Sequence, residues 1–127
     1  MKIYTKTGDR GETSLLGGRR VGKNCIEMHV IGELDELNAS LGVVVAHVGG
    51  EGIQQMKLFI QKIQKDLFMI GAELAALQGP MYDKVEKINE ERVGEMELLI
   101  DEYWHQMPEL KNFILPGGSI VGAEIHR

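Results

Sequence analysis

At 127 residues, with 43% hydrophobic and 26% charged side chains, the chain has the size and composition of one globular domain with its own core. Its net charge of −5 argues against a nucleic-acid partner, because duplex binding needs a broad basic face. No apolar run approaches the roughly 18 residues that span a membrane, and one cysteine allows no intrachain disulfide, so we expect a cytoplasmic protein with no membrane partner.

The first feature along the chain is a basic, glycine-rich segment, residues 1–24. It carries six basic and two acidic side chains, a net +4, whereas the rest of the chain has a net charge of −9. Glycine permits close backbone approach to a ligand, and hydroxyl, ammonium and guanidinium groups are the donors that a polyphosphate needs. The segment therefore predicts a loop that binds a small polyanion, with a solvated, floppy N-terminus as the alternative.

Part of this segment comes close to a known phosphate-binding motif. Gly17 to Asn24 differs by one residue from the P-loop pattern G-x-x-x-x-G-K-[ST]. Asn24 replaces the serine or threonine that holds Mg²⁺, and no alternating strands and helices follow. We therefore expect a phosphate-binding loop of another design.

Three apolar stripes with steps of three and four residues predict helices. They run from Val30 to Val48, from Ile53 to Leu77 and from Val93 to Met107. Short segments with glycine or proline separate them, which is typical of antiparallel helices packed at about 20°. We predict an all-α fold, an antiparallel up-and-down helix bundle in a single domain, with residues 1–24 as the N-terminal loop and residues 25–127 as the bundle.

Two residues predict where later helices begin. Asn89, followed by two glutamates, is expected to cap the third helix, and Ser119, after two glycines, is expected to cap a fourth. The fourth helix has room for only about two turns before the sequence ends at Arg127. Residues 80–88 are compatible with a loop or with an early start of the third helix.

The stretch GELDELNASLG, Gly32 to Gly42, combines an apolar face with a strip of small and polar side chains. Its leucines, Leu34, Leu37 and Leu41, are expected to face the core. The strip consists of Asp35, Asn38, Ala39, Gly42 and Ala46. Such a strip suits a helix–helix or subunit contact, or the approach of a flat ligand. A carboxylate among apolar neighbours needs a cation, and no nearby helix position supplies one for Asp35, so we expect its partner from elsewhere.

The last segment, NFILPGGSIVGAEIHR, places an apolar trio before a helix N-terminus. Exposed amides at such an N-terminus form a ready anion site, although the trio, beginning at Phe113, could instead dock into the core.

A metal site is not predicted. Glu102 and His105 match the E-x-x-H motif of di-iron bundles, but that site needs a second copy and two further glutamates. The remaining histidines have no metal-ligand spacing.

In this order, the stretches IYTKTGDRGETSLLGGRRVGK, IGELDELNASLG and FILPGGSIVGAEIHR resemble the PduO-type ATP:cob(I)alamin adenosyltransferase family. The resemblance implies a five-helix bundle that assembles as a homotrimer, with ATP bound between neighbouring subunits. It implies transfer of the 5′-deoxyadenosyl group of ATP, bound with Mg²⁺, to the cobalt of reduced cobalamin, with release of triphosphate. Family members continue past the position of Arg127 with an arginine-rich helical segment, so we expect the last of four helices to be cut short here.

The resemblance also assigns residues by matching position. The ATP-binding residues would be Thr5, Lys6, Thr7, Gly8, Thr13, Ser14 and Lys23. Asp35 resembles an aspartate that pairs across the interface with an arginine, and Phe113 resembles an aromatic that packs below the corrin and helps displace its lower ligand. The alternative functions are a nucleotide-binding helical module, a sensor or chaperone without transferase activity, and an interaction bundle with a disordered N-terminus.

Overall fold

The computed structural model of the protein describes residues 3–49 and 53–127. Its elements in chain order are β1 (Glu12–Ser14), β2 (Arg20–Gly22), α1 (Ile26–His47), α2 (Gln54–Ala76), a 3₁₀ turn (Tyr82–Lys84), α3 (Glu90–Gln106) and α4 (Ile120–Ile125). The four predicted helices are confirmed, and residues 80–88 are a connection with one 3₁₀ turn. Within the described ranges, no helix is long and apolar enough to cross a membrane.

The core lies between the antiparallel helices α1 and α2. Val44, Val48 and Ile60 are buried together, and Val121 of α4 packs against them. Burying side chains of this size stabilises the fold by about 1.5–3 kcal/mol each. This cluster therefore fixes α1, α2 and α4 relative to one another.

Reciprocal hydrogen bonds determine which face of α1 meets α2. Asn38 is buried and donates from Nδ2 to the carbonyl of Gln64 at 3.1 Å, while Gln64 Nε2 donates to the carbonyl of Asn38 at 3.0 Å. The buried face of α1 thus includes Asn38 and Val44. Leu37, predicted to face the core, is instead 49% exposed, because at this level of α1 helix α2 packs against Asn38, about 100° away; Val44, two turns further on and on the same side as Leu37, is buried. Around Asn38, the small polar strip is a helix–helix contact.

Helix α3 begins as predicted but does not bury its apolar stripe. Asn89 Oδ1 accepts a hydrogen bond from the backbone N–H of Arg92 at 2.9 Å, which confirms the cap. Val93 and Ile100, by contrast, are 44% and 64% exposed. The predicted stripe is therefore mostly open to solvent.

Ion pairs join α3 to α2. Arg92 places Nε and Nη2 each 2.7 Å from Asp66 Oδ2, and both side chains are 11% exposed. Its Nη1 lies 2.8 Å from Glu95, which also pairs with Lys62 of α2. The hydrogen bond with Asp66 raises the pKa of Arg92, and hydrogen bonds from Lys62 and then Arg92 lower the pKa of Glu95. Pairing 62 with 95 and 66 with 92 shows that α2 and α3 are antiparallel.

The short helix α4 is docked along α1. Ser119 Oγ accepts from the backbone N–H of Gly122 at 3.0 Å, which confirms the predicted cap. At the other end, Arg127 donates from Nη2 to Ser40 Oγ at 3.0 Å. A helix this short needs tertiary contacts, and α1 supplies them.

Candidate functional site

The leader, defined here as residues 4–23, contains a β-hairpin where the sequence predicts only a loop. Strands β1 and β2 are antiparallel, with Thr13 opposite Val21 and Ser14 opposite Arg20. Gly17 and Gly18 turn the chain with φ of +97° and +93°, a region that favours glycine. The pairing gives the basic, hydroxyl-rich leader a hydrogen-bonded framework.

The hairpin turn sits on the C-terminal end of α2. The backbone N–H of Leu16 donates to the carbonyl of Ala75 at 3.0 Å. A Cβ atom at Gly17 would lie 3.1 Å from Pro80 Cδ, and one at Gly79 would lie 3.3 Å from the carbonyl oxygen of Leu16. Both glycines therefore permit the close approach that ties the leader to the bundle.

The segment before β1 brings hydroxyl and ammonium groups together. Thr5 Oγ1 and Thr7 Oγ1 are 2.8 Å apart and hydrogen-bonded. Lys6, between them, has φ of +59°, and its ammonium lies 5.6 Å from the centroid of the Tyr4 ring. A left-handed conformation in a residue other than glycine costs of order 1–3 kcal/mol and is often found at ligand sites.

Lys23 returns to this segment from the far side of the hairpin. Its backbone N–H donates to the carbonyl of Gly11 at 2.8 Å. A Cβ atom at Gly8 would lie 3.2 Å from Lys23 Nζ and 3.2 Å from the carbonyl oxygen of Glu12. Glycine at position 8 thus lets the lysine ammonium lie directly against the main chain.

Arg20 links both parts of the leader; the sequence shows it as one of several basic residues there and does not indicate these contacts. Its Nη2 donates to the carbonyl of Thr7 at 2.9 Å and to Glu12 Oε2 at 3.2 Å, while Nη1 donates to Ser14 Oγ at 3.4 Å. Glu12 and Ser14 share one face of β1 because strand side chains alternate, so Thr13 lies on the opposite face. The sequence shows this alternation, but it predicts the contacts of Arg20 only once the hairpin is known.

An open cavity of about 710 Å³ adjoins this arrangement. Its lining residues are Lys6, Thr7, Asp9, Arg10, Glu12 and Arg20. The cavity is therefore bordered by both charge signs, with three basic and two acidic side chains.

An ion pair also connects the leader to α1. Arg19 Nη2 lies 3.3 Å from Glu27 Oε1 in the first helical turn. The pKa of Glu27 is lowered, first by a hydrogen bond from its own backbone N–H, then by hydrogen bonds from Cys25 and Arg19. The two consecutive arginines of the leader thus have different partners.

Asp35 is exposed on α1 and borders an apolar groove of about 480 Å³ between α1 and α2. The other lining residues are Met28, Ile31, Gly32, Leu34, Asn38, Leu67, Phe68, Gly71 and Ala72. Among the residues that the structure describes, none forms an ion pair with Asp35. That its cationic partner comes from elsewhere stays a prediction.

Phe113 lies in the connection between α3 and α4. It is fully exposed, as is nearly all of Leu115, and Ile114 is 61% exposed. The alternative in which this trio docks into the core is therefore wrong for this structure. The trio instead offers a free apolar surface.

Of the seven ATP-assigned residues, Lys6 and Thr7 line the leader cavity, Thr5 bonds to Thr7 and Lys23 lies against Gly8, whereas Thr13 and Ser14 lie on opposite faces of β1. The structure does not join this group to Asp35 or Phe113. Each of the three groups borders its own depression: the leader cavity, the α1–α2 groove and a cavity along residues 110–114. Across residues 3–49 and 53–127, no cluster of three or more His, Cys, Asp or Glu side chains is arranged to hold a metal ion.

Comparison with known proteins places these features in a family context. Residues 3–127 match the family profile described as cobalamin adenosyltransferase. The chain is 41% identical over 127 residues to the corrinoid adenosyltransferase of Bacillus subtilis, covering 99% of this chain and 64% of that protein. It is 38% identical over 125 residues to the corrinoid adenosyltransferase of Citrobacter freundii, covering 98% of this chain and 69% of that protein. The chain thus spans about two thirds of the length of these relatives.

Solved structures give the same result. A variant PduO-type ATP:corrinoid adenosyltransferase from Lactobacillus reuteri, complexed with cobalamin and ATP, superposes with a TM-score of 0.89 at 32% identity, covering 98% of this chain and 68% of that one. Another variant of that protein, complexed with ATP, gives a TM-score of 0.86 at 33% identity, with the same coverage.

Proposed function

The chain belongs to the cobalamin adenosyltransferase family, and on this basis we propose that it transfers the 5′-deoxyadenosyl group of ATP to the cobalt of cob(I)alamin. The observation that carries the proposal is the leader, in which the Lys23 ammonium lies against Gly8, and Gly8 directly follows the hydrogen-bonded pair of Thr5 and Thr7 in the chain. In this reaction the electron pair of Co(I) forms a bond to C5′ while the C5′–O5′ bond breaks. The triphosphate leaves with the electrons of the broken bond.

In this reaction the side chains need only bind and orient the two substrates. Co(I) is itself a strong nucleophile, so no side-chain nucleophile or general base is needed. The protein must hold C5′ in line with the cobalt and stabilise the negative charge that accumulates on the triphosphate. The basic leader suits the second task.

We propose that the ATP-binding residues are Thr5, Lys6, Thr7, Gly8, Thr13, Ser14 and Lys23. Lys6 and Lys23 would neutralise phosphate charge, and the threonine hydroxyls would donate to phosphate oxygens. The Ser14 hydroxyl already accepts from Arg20, so its own proton remains free to donate. Mg²⁺ would accompany ATP, since phosphate oxygens are ligands that this cation prefers, and would offset part of the triphosphate charge.

We propose that neighbouring subunits of a homotrimer complete the site. The leader, Asp35 and Phe113 border separate depressions within one chain, which supports a site assembled from more than one subunit. Asp35 would pair with an arginine across the interface and support the shared site. Phe113 would pack below the corrin, where an exposed aromatic excludes water and the lower axial ligand. We place the protein in the cytoplasm, which its single cysteine favours.

The first experiment tests the leader as the nucleotide site. Lys23→Ala is expected to raise the Kd for MgATP by about 10–100-fold, since a hydrogen bond to a charged group is worth about 1.5–3 kcal/mol. Lys84→Ala, which removes an exposed lysine from the 3₁₀ turn, is the matched control and should leave Kd unchanged. An equal rise in Kd for both variants would count against the leader as the nucleotide site.

The second experiment tests transfer. Protein, MgATP and chemically reduced cobalamin are mixed without oxygen, and the absorption change from cob(I)alamin to adenosylcobalamin is followed together with triphosphate release. We expect one triphosphate for each adenosylcobalamin. MgATP binding without this change would instead show a nucleotide-binding module, and failure of MgATP to protect the leader from proteolysis would favour an interaction bundle.

The third experiment separates the remaining two residues from the nucleotide site. Asp35→Asn and Phe113→Ala are expected to lower the transfer rate more than the affinity for MgATP. Because both side chains are exposed, neither change should shift the unfolding midpoint of the isolated subunit. An equal loss of transfer and of MgATP affinity would contradict the roles assigned to them.

A further inference from the structure

We propose that Arg20 is a positioning residue that orients the main chain at Gly8 before the nucleotide arrives. This role rests on the proposed binding of triphosphate by the leader. Arg20 is not among the residues that the family resemblance assigns, and the inference comes from its three contacts within the leader.

The decisive contact is the hydrogen bond of 2.9 Å from Arg20 Nη2 to the carbonyl of Thr7. That carbonyl shares one planar, trans peptide unit with the N–H of Gly8, so the two groups point in opposite directions. Holding the carbonyl on the side of Arg20 therefore directs the Gly8 N–H away from Arg20. Glycine has no intrinsic preference strong enough to do this, because its backbone explores a wide range of conformations.

The same guanidinium anchors this peptide unit to the hairpin. Its contacts with Glu12 and Ser14 fix the fork on β1, while its own backbone belongs to β2. A planar fork reaches three acceptors at once, whereas the single ammonium of lysine cannot reproduce that geometry. The hydrogen bonds of Arg20 therefore link the hairpin to the segment Thr5–Gly8.

The ion pairs of the leader indicate that Arg20 does not itself bind phosphate. Its positive charge is already paired with Glu12 at 3.2 Å. In the described ranges, Lys6, Arg10 and Lys23 have no carboxylate within ion-pair distance, so these three side chains, and not Arg20, are the cations free to meet an anion.

The chain supplies a matched control next to Arg20. Arg19 has nearly the same side-chain exposure, 39% against 40%, and one carboxylate partner, Glu27. Its side chain, unlike that of Arg20, makes no hydrogen bond to the main chain of the leader in the described structure. Arg19→Lys and Arg20→Lys therefore preserve charge equally, and only the second removes the fork that holds Thr7.

The experiment compares both variants with the unmodified protein. Hydrogen–deuterium exchange without nucleotide is measured on peptides containing residues 7–12, and Kd is measured for MgATP. Arg20→Lys is expected to accelerate exchange about tenfold and to raise Kd about tenfold, whereas Arg19→Lys should change neither. Circular dichroism checks that both variants keep the helical bundle.

The outcomes distinguish this inference from the proposed function. A weaker Kd with unchanged exchange in Arg20→Lys would show direct contact with the nucleotide and overturn the positioning role. Unchanged exchange and unchanged Kd would also overturn it. If the unmodified protein does not bind MgATP, the proposed function fails, while the exchange comparison still decides whether Arg20 orders the leader.

Discussion

Replacing Asp66 by asparagine tests whether a buried ion pair holds α3 on α2. Asp66 and Arg92 are each 11% exposed, so little solvent screens them. Removing one member of a buried pair costs about 3–5 kcal/mol because the other charge remains buried. We take the lower end, about 3 kcal/mol, because Arg92 keeps its contact with Glu95 at 2.8 Å.

This free energy converts into a measurable change. An unfolding entropy of about 2.1 cal/mol/K per residue gives about 0.27 kcal/mol/K for a 127-residue chain, so the loss corresponds to a Tm lower by about 11 °C. Urea denaturation followed by circular dichroism would give the free energy, and hydrogen exchange would show whether α3 loses protection first.

Glu95→Gln is the control, since it removes a more exposed partner of the same arginine. It should shift the urea midpoint by less than roughly half as much as Asp66→Asn, because exposed ion pairs contribute little. Equal shifts for the two variants would refute the argument and would mean that solvent screens the Asp66–Arg92 pair as well.

Three further predictions concern packing and pH. Asn38→Ala should cost about 2 kcal/mol in urea denaturation. The double variant with Gln64→Ala should cost less than the sum of the two single changes, because both hydrogen bonds depend on the same close approach of α1 to α2; full additivity would contradict that. Gly79→Ala should destabilise the protein by about 1–3 kcal/mol, because the new Cβ crowds the hairpin turn. Gly94→Ala, whose new Cβ meets no neighbouring element within 4 Å, should stabilise α3 by up to about 1 kcal/mol. Free-energy changes of the same sign for the two variants would refute this explanation. Because the pKa of Glu95 is lowered, its contribution to stability is present above the ordinary glutamate pKa of about 4.3 and is lost as pH falls through the lowered value. Acid should therefore destabilise the unmodified protein more than the Glu95→Gln variant, and parallel pH profiles of their urea midpoints would contradict this.

Local sequence signals predicted the helices because their causes are local. Asn89 and Ser119 cap helices through hydrogen bonds to residues three positions later, which a sequence displays directly. The second apolar stripe likewise marks the face of α2 that buries Ile60 and Leu67.

Features that depend on distant partners were not predicted. The stripe of α1 correctly placed Val44 and Val48 in the core, but at the level of Leu37 the bonds between Asn38 and Gln64 put the neighbouring side chain against α2 instead. The hairpin was missed because its strands have three residues each, too short for a clear alternating pattern. Without the hairpin, the contacts of Arg20 could not be inferred.

Cys25 stands at the junction between the leader and the bundle. It is the N-cap residue of α1, and its backbone N–H donates to the carbonyl of Gly22 at the end of β2. As the sole thiol of the chain, and a partly accessible one, it offers a single attachment point for a fluorescent dye. Optical measurements of leader motion are therefore within reach without first removing other cysteines.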